Sequence, residues 1–180
     1  DNLEILEIPN FGSAMDRFNP DEAARVRWTF DGQEIFKSGV RAMAQASAKA
    51  IEKSGLSKED VDIFIPHQAN IRIVEALEKK LGLPNATTIK KVHRYGNTSA
   101  ASIPTAFVDA LEEGEIKGGE IAVFTAVGAG LAWGACAVRL GDRVTPINKS
   151  DAKLPDFDGT ATDTIKKAIE YQVPDKLDKI

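Results

Sequence analysis

The sequence predicts an α/β protein, a layered sheet covered by helices. Two patterns carry that expectation. Apolar runs of strand length, at residues 61–65 and 121–127, alternate with segments whose apolar residues recur at three- and four-residue spacing. The resulting order is helix, strand, helix, strand, helix, strand, strand. Alternation of this kind favours a sheet with helices packed on its faces.

The elements follow in order. Residues 1–31 are mixed; Ile5, Leu6 and Ile8 fit a strand before Pro9, and residues 11–20 read as loop. From Gly32 the pattern turns helical. Phe36, Val40, Met43, Ala50 and Ile51 form one apolar face, with the small Ser47 in the turn between them. Gly55 ends that helix. Residues 57–60 connect it to a buried strand at 61–65, which Pro66 stops. Ile71, Val74, Leu77 and Leu81 mark a second helix, closed by Gly82 to Pro84. A short strand at 88–92 and a turn at Arg94-Tyr95-Gly96 lead to a small-residue helix over 98–111, which ends near Gly114. The strands at 121–127 and 131–140 flank Gly128-Ala129-Gly130 and form an antiparallel pair across it.

Residues 141–180 change character. Eight acids and seven bases leave few apolar residues before a short helix expected at 162–171. The chain therefore divides into a layered domain, residues 1–140, and a polar C-terminal extension, residues 141–180, wrapped on the surface or docked on a partner.

Bulk properties exclude several classes. At 180 residues, 43% hydrophobic and 28% charged, the chain has the composition of an ordinary globular domain. Its net charge of -4 argues against broad attraction to nucleic acid. No apolar run approaches the roughly 20 residues of a membrane span. Asp1-Asn2-Leu3-Glu4 has neither the basic nor the apolar part of a signal peptide and no initiator Met, as expected of a processed, trimmed or partial chain. The single cysteine rules out an internal disulfide framework and fits a reducing cytoplasm.

Two segments carry candidate chemistry. His67 follows Pro66 at the end of a buried strand, the edge at which open α/β sheets bind ligands. A neutral imidazole can donate one hydrogen bond there; taken alone, a histidine capping a helix or satisfying a loop carbonyl is the commoner case, and the surrounding Pro66-His67-Gln68-Ala69-Asn70 string favours the functional one. Asn97 follows Gly96 and opens a helix of unusually small residues, Ser99 to Ser102. An N-cap asparagine is a common device, but small side chains also let a thin ligand or another surface come close. Gly128-Ala129-Gly130 lacks the spacing of a dinucleotide site. It fits a turn needing positive φ, or one that brings backbone N–H groups to a reacting oxygen. Cys136 lies mid-strand on the same alternation as Val138 and Leu140, with no cationic neighbour to activate it, and reads as a buried structural thiol. His67 and His93 have no third ligand at metal-site spacing, so no metal is expected. Lys37, Arg72, Lys79, Lys80, Lys90, Lys91 and Arg94 gather near the two motifs, as a solvated face or as attraction for an acidic carrier protein.

Together Pro66 to Arg72 and Gly96 to Ser102, with Gly32-Gln33-Glu34-Ile35-Phe36-Lys37 and Gly128 to Gly134, resemble the β-ketoacyl-acyl carrier protein synthase III family, thiolase-fold condensing enzymes. The likeness covers about residues 1–140. In that family these motifs lie in the C-terminal half of a duplicated fold. The resemblance thus implies one thiolase-like half, a mixed sheet covered by helices.

By resemblance, the activity is an acyltransfer that starts fatty acid synthesis. An acyl group from acyl-CoA is held on a cysteine nucleophile. Malonyl on its acyl carrier protein loses carbon dioxide, and His67 and Asn97 donate to the oxygen on which the enolate forms. Asn70 hydrogen-bonds the pantetheine arm, Gly32 lines its tunnel, and Phe36 also contacts substrate. Gly130 helps shape the oxyanion environment, and Lys37 and Arg72 meet the carrier protein. No cofactor beyond these substrates is implied. The cysteine belongs to the preceding half of the family fold, which is absent from this sequence. The expected partners are therefore an N-terminal half carrying that cysteine, the carrier protein, and further thiolase-fold units in a homodimer or heteromer. Without its duplicate, the half would expose a sheet edge and a helix surface, so a tight complex is expected. Alternatives are a non-catalytic thiolase-fold subunit that binds carrier protein, or a related condensing enzyme of secondary metabolism.

Overall fold

Helix α1, Gly32–Lys53, starts where the Asp31 carboxylate accepts the backbone N–H groups of Gln33 and Glu34, at 3.1 and 3.0 Å. The computed structural model describes residues 6–7, 29–144, 159–160 and 162–166. Val40, Met43, Ala44, Ser47 and Ile51 form the buried face of α1. Phe36, expected on that face, is exposed: it lies in the first turns of α1, and the fully buried face begins at Ser38.

A 3₁₀ turn, Lys58–Asp60, leads into β3, Ile63–Pro66, whose four residues are all buried. Pro66 is the last residue of this strand rather than its stop. The neighbouring strand β4, Thr87–Thr88, reaches only as far as Phe64, so the missing N–H of Pro66 removes no ladder bond. Helix α2, Ile71–Leu81, is capped by the Asn70 side chain, which accepts from the Arg72 N–H at 2.8 Å, and ends at Gly82 with φ 60°. A Cβ at Gly82 would touch nothing within 4 Å, so its cost is conformational alone. Gly82→Ala should lower stability by about 1 kcal/mol. Urea unfolding that shows no loss would contradict this.

The strand expected at 88–92 is cut to β4, and the chain turns into a one-turn helix α3, Val92–Tyr95, that ends at Gly96 with φ 67°. The Ile89 N–H still donates to the Phe64 carbonyl, but the Lys91 and Val92 N–H groups both donate to the side-chain oxygen of Gln68, so the chain bends away from the ladder there. The helix expected over 98–111 is a 3₁₀ turn, Ser99–Ala101, followed by α4, Ser102–Glu112. Pro104 sits in the first turn of α4, where its missing N–H is harmless.

Strands β5, Ile121–Gly128, and β6, Ala132–Arg139, complete a four-stranded sheet of order β4-β3-β5-β6. β3 runs parallel to β4 and β5, and β6 pairs antiparallel with β5 across the glycine turn, as expected. Each face carries its own core. Phe64 and Val123 meet α1 and α2, while Ile63, Ile65 and Ala122 meet Ala106 and Ala110 of α4. Phe107 of α4 packs edge-on against Phe124, with ring centroids 5.7 Å apart.

Cys136 corrects an expectation: it is exposed, not buried. It pairs with Phe124 and so stands on the α4 side of β6. The core on that side is built on β3 and β5, and the edge strand lies beyond it. Val138, on the same alternation, is 41% exposed.

A separate two-stranded sheet joins β1, Leu6–Glu7, to β2, Thr29–Phe30, in antiparallel register. The loop expected at 11–20 lies outside the described residues. By contacts, the chain separates into the units Asp1–Pro146 and Ile147–Ile180. In the second, residues 162–166 are helical, and the rest of the expected helix lies outside the described residues. Among the described residues, no helix is long and apolar enough to cross a membrane.

Candidate active site

A cavity of about 660 Å³ opens beyond the C-terminal end of β3. His67, Asn97, Ser99 and Ser102 give it polar groups, and Phe30, Ile103 and Trp133 give it apolar walls. Its position is the one at which parallel strands leave their backbone ends and side chains open to a ligand.

His67 is held by the sheet itself. Its N–H donates to the Thr125 carbonyl at 2.8 Å, which extends the β3–β5 ladder by one residue. Its Nδ1 lies 2.6 Å from the Ser102 hydroxyl, at the first residue of α4. Burial pushes the imidazole pKa below the usual histidine value, because desolvation disfavours the cation.

Asn97 precedes its helix instead of capping it. Its Oδ1 accepts the Ser99 N–H at 3.0 Å, a side-chain turn that carries the backbone into the 3₁₀ segment. A backbone N–H can only donate, so this bond identifies the amide oxygen and leaves the Nδ2 donors for other partners. Ser99 sits at φ 51°, a left-handed conformation that costs a non-glycine residue about 1 kcal/mol.

Sequence reasoning missed Gln68, the residue that joins the two segments. It is 2% exposed. Its Nε2 donates to the carbonyls of Pro66 and Ile89, at 2.7 and 3.1 Å. Its Oε1 accepts from Lys91 and Val92, at 2.9 and 3.2 Å. One side chain thus ties the His67 loop to the stretch leading to Asn97. The available signal was a carboxamide directly after a strand-ending Pro-His pair.

Ion pairs brace the same stretch. Arg94 meets Asp109 and Glu113, the Tyr95 hydroxyl donates to Asp109 at 2.8 Å, and Lys91 meets Glu113 and Glu115. Burial pulls the Lys91 ammonium down, but hydrogen bonds and charge from Glu113 and Glu115 more than offset this and hold its pKa above the usual lysine value. Lys90 is likewise paired with Glu78. Part of the basic cluster seen in the sequence is therefore committed within the fold, whereas Lys37, Arg72, Lys79 and Lys80 are exposed.

The structure brings His67 and Asn97 together on one cavity. Gly32, Phe36, Lys37, Asn70, Arg72 and Gly130 do not line it. Gly32, Phe36 and Lys37 lie in the first turns of α1, and Asn70 and Arg72 lie at the start of α2. The glycine turn reaches the cavity through Gly128 and Ala129. No group of three or more His, Cys, Asp or Glu that could hold a metal occurs among the described residues. Two side chains able to donate into one recess suit an oxygen that gains negative charge during a reaction.

Residues 51–140 match the family model described as 3-oxoacyl-acyl-carrier-protein (ACP) synthase III C terminal. The chain is similar to β-ketoacyl-(acyl-carrier-protein) synthase III 2 of Vibrio cholerae, with 49% identity over 170 residues, 93% of this chain and 46% of that protein. It is also similar to the solved structure of 3-oxoacyl-(acyl carrier protein) synthase III from Pseudomonas aeruginosa, with 30% identity and a TM-score of 0.67, over 81% of this chain and 42% of that one. A priming β-ketosynthase of a polyketide biosynthetic pathway gives 31% identity and a TM-score of 0.68, over 78% and 42%. The chain spans less than half the length of these relatives.

Proposed function

Because the chain belongs to the 3-oxoacyl-acyl-carrier-protein synthase III family, we propose that it forms the C-terminal half of a condensing enzyme whose cysteine nucleophile lies in a preceding half. The reaction is a decarboxylative Claisen condensation in the cytoplasm, with acyl-CoA and malonyl-acyl carrier protein as substrates and no further cofactor. The cysteine thiolate attacks the acyl-CoA carbonyl and takes the acyl group as a thioester, and CoA leaves as its thiolate. The malonyl carboxylate leaves as carbon dioxide, and the electron pair of the broken C–C bond moves into an enolate on the malonyl thioester. His67 and Asn97 donate to that enolate oxygen. The enolate carbon attacks the acyl thioester, a new C–C bond forms, and the cysteine leaves as thiolate.

The observation that carries this reading is that His67 and Asn97 share one cavity, with the Asn97 oxygen already held by Ser99. Two fixed donors in a water-poor site stabilise an oxyanion by several kcal/mol. The residues outside the cavity take supporting roles: Asn70, Gly32 and Phe36 along the pantetheine arm, Gly130 in the turn beside the oxyanion, and Lys37 and Arg72 on the acidic carrier. The apolar residues exposed on β6, Trp133 and Val138, fit an assembly with further thiolase-fold units. The test joins this chain to the cysteine-bearing half and supplies acyl-CoA and malonyl-carrier protein. Release of one carbon dioxide per 3-oxoacyl product is expected. A well-formed complex that binds both substrates and releases none would overturn the reading.

A further inference from the structure

The Ser102 hydroxyl sits between two groups that constrain its single proton. The Gln68 N–H, 3.3 Å away, can only donate, so the hydroxyl oxygen accepts there. The His67 Nδ1, at 2.6 Å, is then the partner that can receive the hydroxyl proton. The reverse arrangement, with Nδ1 protonated and donating, would leave the Ser102 proton without an acceptor among the described residues, at a residue only 3% exposed, which is costly. The Ser102 oxygen is fixed by the first turn of α4, and the Gln68 N–H by a side chain with four hydrogen bonds of its own.

We propose that Ser102 is a positioning residue that holds His67 as the neutral tautomer protonated on Nε2, with Nδ1 as a hydrogen-bond acceptor. The ring nitrogen left for the cavity then carries a proton and donates. With Nδ1 protonated instead, the same nitrogen would present a lone pair to the developing enolate and repel it. A hydroxyl bonded to the opposite ring nitrogen therefore decides whether the imidazole helps or hinders. Its effect on rate rests on the condensation reading, whereas its effect on the tautomer does not.

Nitrogen NMR of histidine-labelled complete enzyme tests the tautomer directly, with the His67 signals assigned by their loss in His67→Gln. The expected wild-type spectrum shows an unprotonated Nδ1 and a protonated Nε2; the opposite pattern overturns the proposal, whether or not the Ser102 variants fold. Ser102→Ala should shift the signals toward a tautomer mixture, and Ser102→Thr, which keeps the hydroxyl, should restore them. Unchanged signals in a folded Ser102→Ala also overturn it. In decarboxylation assays Ser102→Ala should lower kcat by roughly 10- to 100-fold, the scale for removing a group that orients a histidine. KM should stay within about twofold, since only the developing charge feels the change. If the tautomer behaves as described while His67→Ala leaves the rate untouched, the lock is supported and the condensation reading falls.

Discussion

His67→Ala in the complete enzyme is expected to slow malonyl decarboxylation by roughly 100-fold or more, the scale for losing one oxyanion donor. Asn97→Ala should do the same. The donors act on one oxygen, so the double variant should cost less than the product of the two single effects. Asn97→Asp is a sharper test. It keeps the oxygen that Ser99 needs and replaces the Nδ2 donors with negative charge facing the enolate. Binding of malonyl-carrier protein should change little in His67→Ala, because the donor matters most once charge has formed. A variant that binds normally and decarboxylates at the wild-type rate would retire the mechanism.

The same histidine gives the reaction a pH signature. Burial lowers its pKa below the usual histidine value of 6.5, so the neutral donor persists to more acid pH than for a solvated histidine. The acid limb of the rate profile should therefore lie below 6.5. Stability carries the same sign. The folded state binds this proton less readily than the unfolded chain, so the His67 contribution is complete above 6.5 and declines as pH falls toward the folded value.

Gln68→Ala is expected to destabilise the fold by about 3 kcal/mol or more. The change removes four hydrogen bonds at once and leaves the carbonyls of Pro66 and Ile89 and the N–H groups of Lys91 and Val92 without these partners. Each buried group stripped of its partner costs about 1–3 kcal/mol. Water entering the space would recover part of that, so the sum is an upper bound. Gln68→Glu should also be damaging, because it sets an oxygen against two carbonyls. Urea unfolding of the complete protein measures both. A loss under about 1 kcal/mol for Gln68→Ala would show that the two segments hold their places without this bridge.

Much of the architecture was legible because it depends on local pattern. The strand-length apolar segments at 121–127 and 131–140, separated by glycines, led directly to the antiparallel pair β5–β6. Three-and-four spacing likewise marked α1 and α2. Where the reading missed, a distant residue had intervened. The strand expected at 88–92 lost its backbone donors to Gln68, and Cys136 alternated correctly but lay on a strand the helix layer does not cover. Alternation states which side a residue faces; it is silent on whether that side is covered.

For the thiolase-like half-fold and its site, the chain by itself determined residue identity: a histidine after a strand-ending proline, an asparagine after a glycine, and the spacing that marks the family. Those depend on side-chain chemistry and near neighbours, which a linear string records. Only the tertiary structure decided which hydrogen bonds the two side chains make, and so which of their ends is left to act. That choice is set by Ser102 and Ser99, by a shared amide bridge, and by how far a helix layer extends over the sheet. Such terms depend on distances between segments far apart in sequence, which appear only once the backbone has closed around them.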